Sequence, residues 1–266
     1  MFAWLKRRKQ TQQNDDQTFK HIKYIDNLPD KELAILNNLL PWASYVNDIS
    51  GRRFGKPYSS KKRSAPENIP DPRIIELDRR YPLHNLRILE VGCFEGNHTV
   101  ALSQFSDQVT AIDSRIEHVV KTIIRTSMFG YKPTVFHLDL EQSFPNDPAL
   151  TFDVLHHVGV LYHLTDPIEH LNDILPHCSI IMLDTHIATE NETLHSYTVQ
   201  GVHYQYKKYH EAGRAAPFAG MHDHAKWLLE KDILQILENN GFTHIEIAER
   251  RNERNGPRIL IYAHKS

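Results

Sequence analysis

From Arg87 onward, short apolar runs alternate with amphipathic stretches of helical period. Arg87–Val91, Gln108–Ile112, Thr134–Leu138, Phe152–Val160 and Ser179–Leu183 read as strands. Between them, Asn97–Phe105 presents Val100, Leu102 and Phe105 at helical spacing. Ser114-x-x-Glu117 has the form of a capping box and precedes Ile116, Val119, Val120, Ile123 and Ile124 on one face, closed by Gly130. Asp166-Pro167-x-Glu169 opens a further helix carrying Ile168, Leu171 and Leu175, and Pro176 stops it. A last helix, Lys231–Asn239, ends at Gly241. Phe242–Ala248 and Arg258–Ala263 then follow as strands with no helix between them.

Strands separated by helices pair in parallel through right-handed crossovers, with helices on both faces. Continuously apolar strands such as Ile180–Leu183 suit a sheet buried on both sides. The pattern predicts an α/β fold: a doubly wound, mostly parallel seven-stranded sheet whose terminal strand pair is antiparallel.

Upstream, the polar stretch 1–20 is expected to be disordered. Residues 21–85 read as a helical and loop extension, a candidate lid, with Asp30 capping a helix that carries Leu33, Leu36 and Leu40 before Pro41. Gly51–Arg63 holds Arg52, Arg53, Lys56, Lys61, Lys62 and Arg63 without an acid, as a solvated loop or as a phosphate-binding segment. The main domain is expected over 86–266. Within it, residues 185–227 form a long connection with little apolar periodicity, read as an acceptor-site insertion.

Bulk composition narrows the classes. The 266 residues are 40% hydrophobic, enough for a large core, and the net charge of −2 leaves no global attraction to nucleic acid or anionic membrane. The segment Met1–Lys9 has no apolar core of signal-peptide length, and no window reaches the ~18–20 apolar residues of a membrane span. Cys93 and Cys178 read as free thiols of a reducing compartment. The expectation is a cytoplasmic protein.

The chemistry concentrates at strand ends. Glu90-Val-Gly92-Cys-Phe-Glu-Gly96 closes the first strand, where open α/β sheets bind ligands and where the following helix favours a carboxylate. Phe94 stands where dinucleotide-binding proteins place a middle glycine for close pyrophosphate approach, which argues against NAD. Asp113 ends the second strand, placed to accept both hydroxyls of a ribose. Asp139 ends the third within Leu138-Asp-Leu-Glu141, placed to read an adenine amino group with Leu140 on the ring. Each acid alone reads as a helix cap; three successive strand ends with fitting residues point to a nucleoside.

These residues make the chain, from about Leu86 to its end, resemble the class I S-adenosylmethionine (SAM)-dependent methyltransferases, a Rossmann-like family. The resemblance implies SAM as cofactor, with Glu90, Gly92 and Gly96 on its methionine side, Asp113 on the ribose, Asp139 and Leu140 at the adenine, and Gly159 as a further cofactor-binding residue. Gly159-Val-Leu-Tyr-His163, Asp166-Pro-x-Glu-His-Leu171, Leu39-Leu-Pro-Trp42 and Pro257-Arg258-Ile-Leu-Ile261 further resemble the bacterial enzymes that carboxymethylate the tRNA wobble uridine. The stretches around Gly51-Arg-Arg-Phe-Gly55 and after Asp184 resemble uncharacterised bacterial methyltransferases.

Tyr162 and His163 lie just past the fourth strand, where the family holds its acceptor. His163 reads either as a general base or as a histidine bonded to backbone beside the cofactor. The 185–227 segment holds six of the 18 histidines and four of the 11 tyrosines. There, His224 is a second candidate base. Asp184, His186, His222 and His224 are either a divalent-metal set or groups lining an acceptor pocket, and the second reading, with no metal, is preferred. The leading expectation is an O- or N-methyltransferase acting on a small molecule or glycan, with a tRNA-modifying enzyme second and a SAM-binding protein without chemistry third. Ordinary SAM is preferred over a carboxylated donor, whose extra carboxylate would require a cation; Lys56 and Arg258 are the candidates, and Arg258 reads more simply as an exposed strand start.

Overall fold

Trp42 and Phe54, both buried, pack edge to face at 5.2 Å and anchor the segment expected as an extension or lid. The computed structural model describes residues 24–58, 64–145 and 150–266. The stretch expected to be disordered, 1–20, and the basic residues Lys61, Lys62 and Arg63 lie outside the described residues. Two units emerge: one of the described residues up to Asn85 with Cys93–Val109 and Glu117–Val135, the other of Leu86–Gly92, Thr110–Ile116 and Phe136–Ser266.

In the first unit, α1 (Asp30–Leu39) buries Leu33 and starts after Pro29, with Asp30 in its first turn rather than at the cap. A short hairpin follows, β1 (Tyr45–Asn47) antiparallel to β2 (Arg53–Gly55). Asp71 caps α2 (Pro72–Arg80) by accepting from Arg73 N. Leu33, Trp42, Val46 and Phe54 share one core with Val100 and Phe129.

The central sheet is built from β3 (Ile88–Val91), β4 (Val109–Asp113), β5 (Thr134–His137), β6 (Val154–Val158), β7 (Ile180–His186), β11 (Phe242–Glu253) and β12 (Gly256–Lys265). Its order is β11-β12-β7-β6-β3-β4-β5. The pairs β3–β6 and β6–β7 are parallel, whereas β12 runs antiparallel to both β7 and β11. Reversal of β12 follows from the tight turn at Arg254-Asn255, which leaves no room for a crossover. Helices α3 (Asn97–Leu102) and α4 (Ile116–Met128) follow β3 and β4 in the chain. Ile168, Leu171 and Ile174 of α5 (Pro167–Ile174) and Ile233, Ile236 and Leu237 of α6 (Glu230–Asn239) join Leu89, Leu155, Ile181 and Ile261 in one buried cluster.

Residues 185–227 are more regular than their composition suggests. They continue β7 to His186 and then form a three-stranded antiparallel sheet of β8 (His195–Val199), β9 (Val202–His210) and β10 (His224–Leu228), in the order β10-β9-β8. Gln200 (φ 49°) and Gly201 (φ 81°) join β8 to β9. Two consecutive positive φ values are the signature of the turn that matches strand twist in two-residue hairpins. No helix among the described residues is long and apolar enough to cross a membrane.

One buried polar pair crosses from sheet to helix. His157 of β6 and His170 of α5 meet Nε2 to Nε2 at 3.0 Å. Burial pushes both imidazoles down, His170 to about 4. Above the ordinary histidine value of about 6.5 both chain states are neutral; as pH falls below it, the unfolded chain takes up protons that the folded core refuses until about 4. Stability is therefore expected to fall between pH 6.5 and 4, by about 1.4 kcal/mol per pH unit for each such histidine. Urea midpoints at several pH values should drop less steeply in His170→Leu; an unchanged slope would refute this assignment.

Candidate functional site

Backbone hydrogen bonds splice the carboxyl ends of neighbouring strands. Gly92 N donates to Ile112 O (2.8 Å), Leu138 N to Asp113 O (3.1 Å) and Gly159 N to Asp184 O (2.9 Å). The Ser114 hydroxyl bonds to the segment after β5: it donates to Leu138 O and accepts from Leu140 N. Glu90, Gly92, Asp113, Asp139, Leu140 and Gly159 thus stand at or just past the carboxyl ends of adjacent strands in one unit. Glu90 and Asp113 are buried. Asp113 accepts from Arg115 N at 2.9 Å, and Asp139 accepts from Glu141 N. Leu140 belongs to the buried cluster.

Glycine is required at two of these positions. Gly92 has φ +70°, and an added Cβ would lie 2.3 Å from Val160 Cγ2. Gly159 has φ +77° but opens on space bounded by Arg258 Nη2 and Tyr162 Oη, each 3.8 Å from such a Cβ. Gly96, in the other unit, opens α3 at φ +81° with Thr122 backbone 3.0 Å from an added Cβ. Phe94 also adopts the left-handed region, φ 51°, so its backbone makes the turn of the glycine it replaces. That costs about 1–2 kcal/mol for a residue with a Cβ. Its ring meets His118 edge to face at 4.8 Å.

A 3-10 turn, Leu161–His163, carries Tyr162 and His163. His163 Nδ1 lies 2.7 Å from Glu211 Oε1, and Glu211 is buried just past the end of β9. A carboxylate on Nδ1 favours the tautomer with its proton there, leaving Nε2 as a free-standing acceptor. Glu211 Oε2 accepts from Gly220 N, whose residue approaches so closely that a Cβ would sit 2.5 Å from His163 O. Tyr162 packs against His186 at 4.7 Å, and its carbonyl accepts from Trp227 Nε1. His224 Nδ1 instead pairs with the exposed Asp223 at 2.7 Å.

Of the four residues weighed as metal ligands, Asp184, His186 and His224 have other partners. Asp184, fully buried, accepts from Arg251 Nη2 through both oxygens (2.9 Å each) and from Arg258 Nε. His186 stacks on Trp227 at 4.7 Å and directs Nδ1 at Pro257 O, while His222 is exposed. Arg258 is not the exposed strand start expected of a residue after a polar turn. Its side chain is only 12% accessible, and its guanidinium lies 5.3 Å from the Tyr162 ring. The side chain is drawn in by its partners: the buried Asp184 carboxylate, Glu253 and the Tyr162 ring. Lys56, in the first unit, donates to Asn38 Oδ1.

Sequence reasoning missed Glu211 and Arg115. Glu211 is the sole acid between Thr193 and Met221, a usable signal in a segment so rich in histidine.

A family profile described as a methyltransferase domain matches residues 44–247. Among curated proteins, the tRNA U34 carboxymethyltransferase of Saccharophagus degradans is 28% identical over 127 residues, which span 42% of this chain and only 38% of that relative's length. Among solved structures, the N-terminal domain of EvdMO1 with SAH (the demethylated product of SAM) and D-fucose aligns over 90% of this chain and 98% of its own, at TM-score 0.73 and 23% identity. Magnesium protoporphyrin IX methyltransferase from Synechocystis PCC 6803 with bound SAH aligns over 73% of this chain and 80% of its own, at TM-score 0.53 and 19% identity. At these identities the solved structures share the fold with this chain.

Proposed function

Because this chain belongs to the class I SAM-dependent methyltransferase family, we propose that it methylates an oxygen or nitrogen atom of a small molecule or glycan, with His163 as general base. The observation that carries this reading is the His163–Glu211 pair, a base held by a buried carboxylate beside the strand ends. When bound, SAM supplies a methyl group on a sulfonium, already activated for in-line displacement. The protein's task is then alignment and proton removal. In this reading Asp113 holds the ribose hydroxyls and Asp139 the adenine amine; their positions at the ends of adjacent strands support it. His163 Nε2 takes the acceptor proton as the acceptor attacks, and Glu211 stabilises the imidazolium through Nδ1–H.

The net charge of −2 favours an uncharged or small acceptor over RNA, whose binding is dominated by phosphate contacts. D-fucose in the EvdMO1 domain supports a sugar acceptor. A tRNA carboxymethylation reading draws on the Saccharophagus relative and on Arg258 beside Tyr162. Against it, Arg258 is already committed to buried Asp184. Mass spectrometry of the cofactor released from fresh protein decides between the two: a species heavier than SAM by one carboxyl group, lost in Arg258→Ala, would favour the tRNA reading.

Cofactor binding has its own test. Calorimetry should show SAH or SAM binding that weakens by about 1–3 kcal/mol in Asp113→Ala, the cost of losing charge-assisted hydrogen bonds. Equal affinity in the variant would remove Asp113 from the site.

A further inference from the structure

Arg115 lies two residues past Asp113, and its side chain runs into the β8–β10 insert. It is buried, and its amide donates to Asp113 Oδ1 at 2.9 Å. Its Nη2 donates to Gly213 O (2.9 Å), Ala219 O (3.1 Å) and Gly220 O (3.1 Å), and its Nη1 to Arg214 O (3.4 Å). One guanidinium therefore gathers four carbonyl oxygens of a single segment, 213–220. Among the described residues no side chain from Arg214 to Met221 is fully buried, and the segment's own backbone bonds are long, at 3.2–3.4 Å. Segments with few buried apolar contacts open at low free energy. At its far end Gly220 donates to Glu211 and closes on His163. Contacts thus run unbroken, within one unit, from Asp113 through Arg115 and the segment to Glu211 and His163.

We infer that Arg115 is a positioning residue which relays occupation of Asp113 by the cofactor ribose to residues 213–220, so that the acceptor side is ordered after the cofactor is in place. This rests on the reading of Asp113 as the ribose acid. Two ribose hydroxyls on the Asp113 carboxylate fix that side chain, and with it the Asp113–Arg115 turn. The planar guanidinium passes an orientation on, because its donors lie in a rigid fork; a lysine ammonium is a rotating point charge and does not. The consequence is ordered binding, cofactor first and acceptor second.

The test uses SAH as probe and hydrogen exchange read by mass spectrometry on the full chain, with calorimetry in parallel. In wild type, saturating SAH should slow exchange of the 213–221 amides by about tenfold. In Arg115→Ala that response should vanish while SAH still protects the Gly92–Gly96 loop. By thermodynamic reciprocity, the variant should bind SAH about 5–50-fold more weakly. If Arg115→Ala does not fold, Arg115→Lys carries the same comparison. A merely structural pin predicts a segment equally ordered with and without SAH in wild type, and that result overturns the inference while leaving the cofactor reading intact. An undiminished response in the variant overturns it too. Absence of SAH binding by wild type would instead sink the cofactor reading, and the relay with it.

Discussion

His163→Gln is expected to keep SAM affinity and lose turnover by ~10²–10⁴, the usual contribution of a positioned base. Glu211→Gln should move the rate in the same direction. An amide in place of the carboxylate can donate as well as accept, so it no longer enforces the proton on Nδ1 or stabilises the imidazolium. The two variants together should slow turnover little more than His163→Gln alone, since the part of Glu211 in proton transfer runs through the ring while its other oxygen holds Gly220 N. A structural histidine predicts something else: a lower melting temperature with a nearly normal rate in the surviving protein. One rate and one melt on each variant separate these outcomes, and a normal rate in His163→Gln ends the proposal.

The largest stability effect is expected in the first unit. Glu95, within the Gly92–Gly96 loop, is fully buried and accepts from Ala43 N, Ser44 N, Ser44 Oγ and Lys121 Nζ. Arg125, also fully buried, donates to Glu95 O and lies 4.8 Å from both the Trp42 and Phe54 rings. Burial lowers its guanidinium to about 10, against the charge of Glu95. Glu95→Ala removes the carboxylate counter-charge of two buried cations, Lys121 and Arg125, and the acceptor of three further donors. The cost should be about 3–5 kcal/mol, or roughly 6–20 °C in melting temperature for a chain of this size. Lys121→Met in the same background should recover part of the loss, because contacting sites are not additive. A melt displaced by less than about 2 °C would show that water or rearrangement satisfies the cations.

Periodicity made the sheet legible. Apolar strands and helices with one apolar face fixed the element order, and the strand-end acids could be read in sequence because ligands collect where such strands end. The β8–β10 sheet was harder to read. His195, Tyr197, Tyr204 and Tyr206 occupy strand positions that a simple apolar count scores as polar, and the Gln200-Gly201 turn is a weaker cue than Asn-Gly. The fates of Asp184 and Arg258 depend on register. Cross-strand alignment sets Arg258 opposite both His186 and Arg251, and no local pattern predicts which arginine a buried acid will meet. Glu211 met His163 across 48 positions of chain for the same reason.

The insert also has a seam. Ala188 N donates to Leu228 O at 2.8 Å, and Ala188 bridges Leu229 in parallel, so the insert begins and ends side by side. Ends this close let a segment be exchanged whole, since the host need only span a short gap. Residues 189–227 are in this sense a cassette: one contiguous stretch of chain can be replaced while the strand-end acids, which lie outside it, stay unchanged. A transplanted cassette would have to bring its own partner for His163 and its own carbonyls for Arg115, and these two requirements mark where such a chimera is most exposed to failure.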